Sequence, residues 1–367
     1  FTNLPAANLD QYPMAIDPDG FAGGATQYGV VEVLFTSASQ DQLVTCNGPT
    51  TFYRIEIDKG SDDTYICEIM ANSSANFELL GRVAFAQHVG SNDSEYVNPK
   101  ALGLEKGTLK LSDNIVIPEV TTGDLNGNVA RVCSGTCNTD FAIFPDARLC
   151  LSGTSSLTSE QQRGIQVMGK LQISDNATLS KGTGTCQILF DDSAIMLVEG
   201  GTTSVSQIRT VGGPIDPRGA YIQTGGTVTV NPYNNSAQYP VDDIGDGANG
   251  SHALFSLPYP EMNFTVMEED PSNPTILNII MEDDNDDDQP KETGGDDVLI
   301  QIGVDEGNYS VSGGTINVEI RNFTGTFDED DGIINSTAPF WDLTLNKEDG
   351  NTRQFYNGAV DASAFTP

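Results

Sequence analysis

Basic side chains are scarce in this sequence. Seventeen Lys and Arg stand against 52 Asp and Glu, a formal charge of −35, and such a chain repels nucleic acid and anionic lipid. No nucleic-acid partner is expected. No apolar run reaches the roughly 18 residues that a membrane-spanning helix needs, so membrane insertion is not expected either. Phe1 opens no signal peptide, which fits a mature chain or one piece of a longer one. His88 and His252 are the two imidazoles, neither flanked by a G-x-S-x-G elbow, so nucleophilic catalysis is not expected and both read as structural histidines. Long helical patterns are missing as well; the best candidate, "SSLTSEQQRGIQVMG" from Ser155, breaks at Gly164.

What the chain has is glycine, 38 residues of it, together with many Thr, Ser and Asn. Short strands joined by turns follow from that composition, so the class is all-β. The strands repeat. "GAYIQTGGTVTV" from Gly219 returns as "GNYSVSGGTINV" from Gly307, "GTLKLSDN" from Gly107 as "GKLQISDN" from Gly169, and "VEGGTTSV" from Val198 precedes "TGGTVTV". Each Gly-Gly pair marks a turn that needs positive φ or close backbone approach, and alternating β-branched residues follow it. Repetition at about 20 to 30 residues describes stacked coils of a solenoid with inserted loops, one elongated domain instead of several globular ones.

Residues 1–28 are rich in turn formers and read as a lead-in or cap. Residues 29–367 read as a single domain, interrupted by an acidic loop insertion at 282–297. In "YRIEID" the alternation sets Tyr53, Ile55 and Ile57 on one face and Arg54, Glu56 and Asp58 on the other. Leu109, Leu111, Leu171, Ile173 and Leu197 are the expected stacked core residues, and Val228, Val230, Ile316 and Val318 are their equivalents in the two "GGT" copies.

Taken in order, "TFYRIEIDKGSDDTYICEI", "KALGLEKGTLKLSDNIVIPEVT", "DFAIFPDARLCLSGTSS", "GKLQISDNATLS", "EGGTTSVSQIR", "GAYIQTGGTVTV", "GNYSVSGGTINVEI" and "NSTAPFWDLTLN" resemble the parallel β-helix region of very large secreted surface proteins of Bacteroidetes. The resemblance runs from about Thr51 to about Asn346. It implies a right-handed parallel β-helix in a type IX-secreted cell-surface protein, of the kind that includes gliding-motility adhesins. Such a segment would be structural or adhesive, with other segments or subunits of a surface assembly and a glycan or surface ligand as partners. The resemblance implies no catalytic residues. It also places Trp341, in "APFWDLTL", in core or edge packing. The family's further repeats and sorting domain lead us to expect one segment of a longer chain, and its pattern includes neither the cysteines nor the acidic insertion.

Six cysteines, Cys46, Cys67, Cys133, Cys137, Cys150 and Cys186, form an even set without the paired C-x-x-C of a zinc site, so disulfides in an oxidising, extracellular compartment are expected. Neighbouring strands could join Cys46 to Cys67 and Cys150 to Cys186, leaving "CSGTC" as a small loop, although six cysteines allow fifteen connectivities. Asp283, Asp284, Asp286, Asp287 and Asp288 offer oxygen ligands for calcium, without the sixth-position glycine of an EF-hand; a solvated insertion is the alternative. The triplet "DSA" at Asp192 resembles the Bacteroidetes O-glycosylation sequence, which would place sugar on Ser193. Triplets at Asn176, Asn263 and Asn335 would matter only in a eukaryotic secretory pathway.

The first rival class is a carbohydrate-active enzyme, because parallel β-helices also house glycosidases, and a third is a glycan-binding module without catalysis. "NTD" ending at Asp140 and the pair Asp191-Asp192 resemble fragments of the polygalacturonase signature. An inverting mechanism would need these carboxyl groups roughly 6.5 to 9.5 Å apart. The Gly-His-Gly and Arg-x-Lys parts of that signature are missing, since His252 sits in "NGSHAL".

Overall fold

The Gly-Gly modules are corners. In the first copy the chain runs as one strand, Ala220–Val230, and bends at Gly226, whose φ is +72°. In the second, Tyr309–Val311 and Thr315–Arg321 flank Gly314 at φ +83°. The partner glycine of each pair meets the second requirement, close approach. A Cβ on Gly225 would lie 2.6 Å from the Glu199 carbonyl oxygen, and one on Gly313 would lie 2.7 Å from the Glu268 nitrogen. No side chain fits at such distances.

A computed structural model describes residues 32–52, 54–79, 102–120, 141–159, 165–182, 186–191, 193–210, 218–232, 253–282, 297–321, 332–347 and 355–357. They form strands, with one short 3-10 turn at Ser74–Asn76. The strands come in circuits of three. The first comprises β1 (Glu32–Phe35), β2 (Gln42–Cys46) and β3 (Thr50–Phe52), and the second β4 (Arg54–Asp58), β5 (Ile66–Ala71) and β6 (Phe77–Leu79). In the third, β7 (Leu102–Ser112) supplies two positions and β8 (Val116–Val120) the last. The next two are β9 (Phe141–Ile143), β10 (Ala147–Leu151) and β11 (Ser156–Ser159), then β12 (Ile165–Val167), β13 (Lys170–Ile173) and β14 (Thr178–Ser180). In the sixth and seventh circuits β15 (Gln187–Phe190) leads into β16 (Ile195–Val205), and β17 (Gln207–Thr210) into β18 (Ala220–Val230), each long strand turning a corner unbroken. The eighth has β19 (Phe255–Leu257), β20 (Asn263–Val266) and β21 (Ile276–Glu282), and the ninth β22 (Asp297–Ile302), β23 (Tyr309–Val311) and β24 (Thr315–Arg321). Last come β25 (Gly332–Ser336) and β26 (Asp342–Lys347), a leading and a trailing strand, and β27 (Phe355–Asn357), which leads the next circuit.

Most strands pair with their counterpart one circuit on, and every described pairing is parallel. Unbroken corner strands merge much of the structure into one 17-stranded sheet, beside an 8-stranded sheet formed by the leading strands from β9 to β27 and the pair β3–β6. The protein is all-β, and this pairing is compatible with a solenoid.

Parallel register puts like above like. In the middle strands the inward column reads Cys67, Leu109, Leu149, Leu171, Met196, Tyr221, Phe264, Tyr309. In the trailing strands Val228, Leu277 and Ile316 form one column and Val230, Ile279 and Val318 another. All six are buried, so the two copies stand two circuits apart on one inner face, as their alternation predicts. Each apolar side chain removed from water here contributes about 1.5–3 kcal/mol. Ile55, Ile57, Leu109, Leu111, Leu171 and Ile173 are likewise in the core.

Leu197 is a correction. It pairs with Gln172 on the outward parity and is half-buried, while Met196 and Val198 fill the core. The run Ile195-Met196-Leu197-Val198 has no polar residue to set its parity, and a one-residue shift reverses every side chain. The helix candidate from Ser155 also resolves into strands, β11 and β12. Residues 1–28 lie outside the described residues, and of the acidic insertion only its flanks, Glu282 and Asp297, are described, as strand ends.

Candidate functional site

A stack of three-strand circuits presents three outer faces, and their chemistry differs. On the leading strands the outward residues Gln166 and Ser256 are buried, and Ala142 and Met168 form a small apolar cluster apart from the main core. That face offers little to a ligand.

The middle strands carry a charged network across successive circuits. Asp63 accepts from Lys170 Nζ at 2.8 Å and lies 3.7 Å from Arg148 Nε. Arg148 Nε also donates to Thr108 Oγ1 at 2.9 Å, and that hydroxyl donates to the Asp63 carbonyl at 2.6 Å. Beside it, Lys110 and Glu68 pair at 3.1 Å, and Ser112 donates to Glu68 Oε1 at 2.7 Å. These bonds fasten one circuit to the next. Between Lys110 and Gln172 in register sits Cys150, whose thiol burial pushes up to about 11, against the pull of Arg148 and Lys110. It is protonated at neutral pH.

The trailing strands bear two outward columns. One reads Ser156, Thr178, Thr202, Thr227 and the other Thr158, Ser180, Ser204, Thr229, pairing residue for residue through β11, β14, β16 and β18. Ile276 and Asn278 continue them on β21. No charged residue stands in these columns from β11 to β21. Ser180 accepts from the Gly182 N–H at 2.9 Å and Thr229 from Asn278 Nδ2 at 3.3 Å. The other six hydroxyls have no hydrogen-bond partner among the described residues. The signal was legible as Ser/Thr-x-Ser/Thr triplets, "SLT", "TLS", "TTS" and "TVT", and sequence reasoning missed it because their common face appears only once the register is known.

The expected disulfides do not form among the described cysteines: Cys46, Cys67, Cys150 and Cys186 are buried and not joined to one another. Register explains the first pair, because Cys67 stands opposite Gln42 and Cys46 opposite Ala71, four positions or about 13 Å along the strand. For the second, Cys150 points outward with Arg148, while Cys186 packs in the core. Cys133 and Cys137 lie outside the described residues. So do Asp283, Asp284, Asp286, Asp287 and Asp288, and among the described residues no group of three or more His, Cys, Asp or Glu is placed to hold a metal.

Of the candidate glycosidase residues, Asp140 and Asp192 lie outside the described residues. Asp191 accepts from Gln166 Nε2 at 2.8 Å, tying adjacent circuits. Ser193 is exposed at the next corner with φ +65°. Trp341 is 68 % exposed, not packed into the core, and precedes β26, the last described trailing strand. Among the described residues no helix is long and apolar enough to cross a membrane. Comparison with protein families, curated proteins and solved structures gives no match.

Proposed function

We propose that the chain is a right-handed parallel β-helix serving as a structural or adhesive segment of a bacterial extracellular surface protein, as the resemblance to Bacteroidetes surface proteins implies. The observation that carries this reading is the parallel pairing of each circuit with the next from β1 to β27. Equivalent positions recur after 22 residues between Leu149 and Leu171 and after 25 between Leu171 and Met196, the span of one solenoid coil. The hand follows from the strong right-handed preference of parallel crossovers. A rod of this kind lengthens by adding coils and presents the same faces along its length.

The acidic surface suits an exposed protein, and the exposed corner at Ser193 suits an O-linked glycan. Calcium at the acidic insertion belongs to the same reading. With no disulfide among the four described cysteines, the extracellular placement draws on the resemblance and the charge. Engagement of Asp191 with Gln166 favours a corner role over a catalytic one.

Antibodies against the chain should label intact producing cells, and small-angle scattering of the purified chain should give an elongated particle. Labelling only after permeabilisation would remove the surface assignment. A compact particle would remove the rod.

A further inference from the structure

The two hydroxyl columns on the trailing strands form a two-dimensional lattice. Parallel rungs repeat about every 4.7–4.9 Å along the axis, and residues i and i+2 of one strand stand about 6.6–6.8 Å apart. In-register pairing keeps Ser156, Thr178, Thr202 and Thr227 in one row and Thr158, Ser180, Ser204 and Thr229 in the next. Five of the eight are threonine, whose β-branched side chain is stiff at χ1. The array is therefore ordered before anything binds, which lowers the entropy lost on binding.

Two independent observations separate this face from ordinary surface. In a chain with 52 acidic residues, no charge stands in the columns from β11 to β21, whereas the middle-strand face carries Glu68, Lys110, Arg148, Lys170 and Glu199. And six of the eight hydroxyls spend no hydrogen bond on the described protein, although the neighbouring face is knitted together by its polar side chains. Structural stitching is not their role. Their bonds point out to solvent with a fixed spacing.

A partner for such a face has to be uncharged, hydrogen-bonding and periodic in two directions. Crystalline polysaccharide is periodic, but sugar rings are held by aromatic platforms, and the eight positions include none. An ion finds no opposite charge. We propose that this face binds ice. Two of the spacings in hexagonal ice lie close to the rung and i, i+2 repeats, and the threonine hydroxyls and methyls would hold water in register with that lattice. The inference does not depend on the surface-protein reading.

The test uses the whole chain, by thermal hysteresis and by partition of fluorescently labelled protein into a growing ice crystal. The native chain should shape ice crystals, show hysteresis and enter the ice. Thr202→Lys and Thr227→Lys should lose both activities with unchanged circular dichroism and melting temperature, while Gln172→Lys, on the middle-strand face, should keep them. No hysteresis and no ice partition by the native chain would overturn the proposal, as would activity that survives both threonine variants. Binding to crystalline cellulose or chitin that is lost in Thr202→Lys, without ice partition, would overturn it in favour of a polysaccharide.

Discussion

The side-chain amide of Asn273 clamps the corner at Gly226. Its Oδ1 accepts from the Gly226 N–H at 3.0 Å while its Nδ2 donates to the Glu199 carbonyl at 2.7 Å, so one side chain ties two circuits from the β20–β21 connection. Asp270 shapes that connection, accepting from the Ser272 N–H at 2.8 Å, which holds its carboxyl below the usual range. Asn273→Ala leaves a donor and an acceptor without their partner and should cost about 1–3 kcal/mol in urea unfolding. Asn273→Asp should cost at least as much, because it keeps the acceptor but sets a carboxylate oxygen against the Glu199 carbonyl. Wild-type stability in both variants would make the clamp ornamental.

The corner glycines differ in what they would tolerate. At Gly226 a Cβ would meet positive φ and the Gly200 backbone at 2.5 Å together, whereas at Gly307, φ +102°, nothing lies within 4 Å of it. Gly307→Ala should therefore lose about 1–2 kcal/mol from backbone strain alone. Gly226→Ala should lose clearly more, since the Gly200 backbone must also move. Equal losses by chemical denaturation would contradict the close-approach account.

The glycine pairs also mark what could be read in advance. "GGT" announces its own corner because only glycine satisfies both constraints, and alternation in "TVTV" and "TINV" fixes which residues face the core. Where alternation fails, as through Ile195 to Val198, parity is set by Leu171 and Ile173 on the preceding circuit, and local pattern carries no trace of it. The cysteines fail for a related reason. Adjacent strands bring Cys46 and Cys67 onto neighbouring rungs, but the offset that separates them is a property of pairing register, which spacing does not reveal.

Parity gives a direct comparison. Leu171 is fully buried in the inward column and Leu197 faces out. Leu171→Ala should cost about 2–5 kcal/mol, and Leu197→Ala, which leaves no enclosed cavity, about 1 kcal/mol or less. Thermal or urea unfolding of the two variants reads the difference. The reverse order would mean that β16 pairs one residue out of register.

Burial of Tyr221 sets a polar group inside the stack, and the structure satisfies it. Its hydroxyl donates to Gln223 Oε1 at 2.8 Å, and Gln223 Nε2 reaches the carbonyls of Gly226 at 3.0 Å and Ile276 at 2.9 Å. Tyr221→Phe keeps the edge contact with Phe255, centroids 5.0 Å apart, yet strips Gln223 Oε1 of its donor. The expected loss is about 1–3 kcal/mol. Gln223→Leu in the same background should add less than it costs alone, because the two residues share one bond. Strict additivity in this double-mutant cycle would show that the bond contributes nothing.

Cys67 makes stability depend on pH in a definite direction. Burial raises its pKa from 9.0 to about 12, with Lys59 pulling the other way. Between those values the unfolded chain releases a proton that the folded chain keeps, so this stabilisation is full below about pH 9 and is lost as pH rises toward 12. Lys59 acts oppositely, since burial lowers its pKa below 10.5, and Cys150 adds to the loss. Comparing wild type with Cys67→Ala at each pH isolates the thiol. Near neutral pH the wild type should be the more stable, because the smaller side chain leaves space beside Leu109, its neighbour in register. Above pH 9 that advantage should narrow steadily, read as converging urea midpoints. A gap that stays constant from neutral pH to pH 11 would place Cys67 in contact with water and remove it from the inward column.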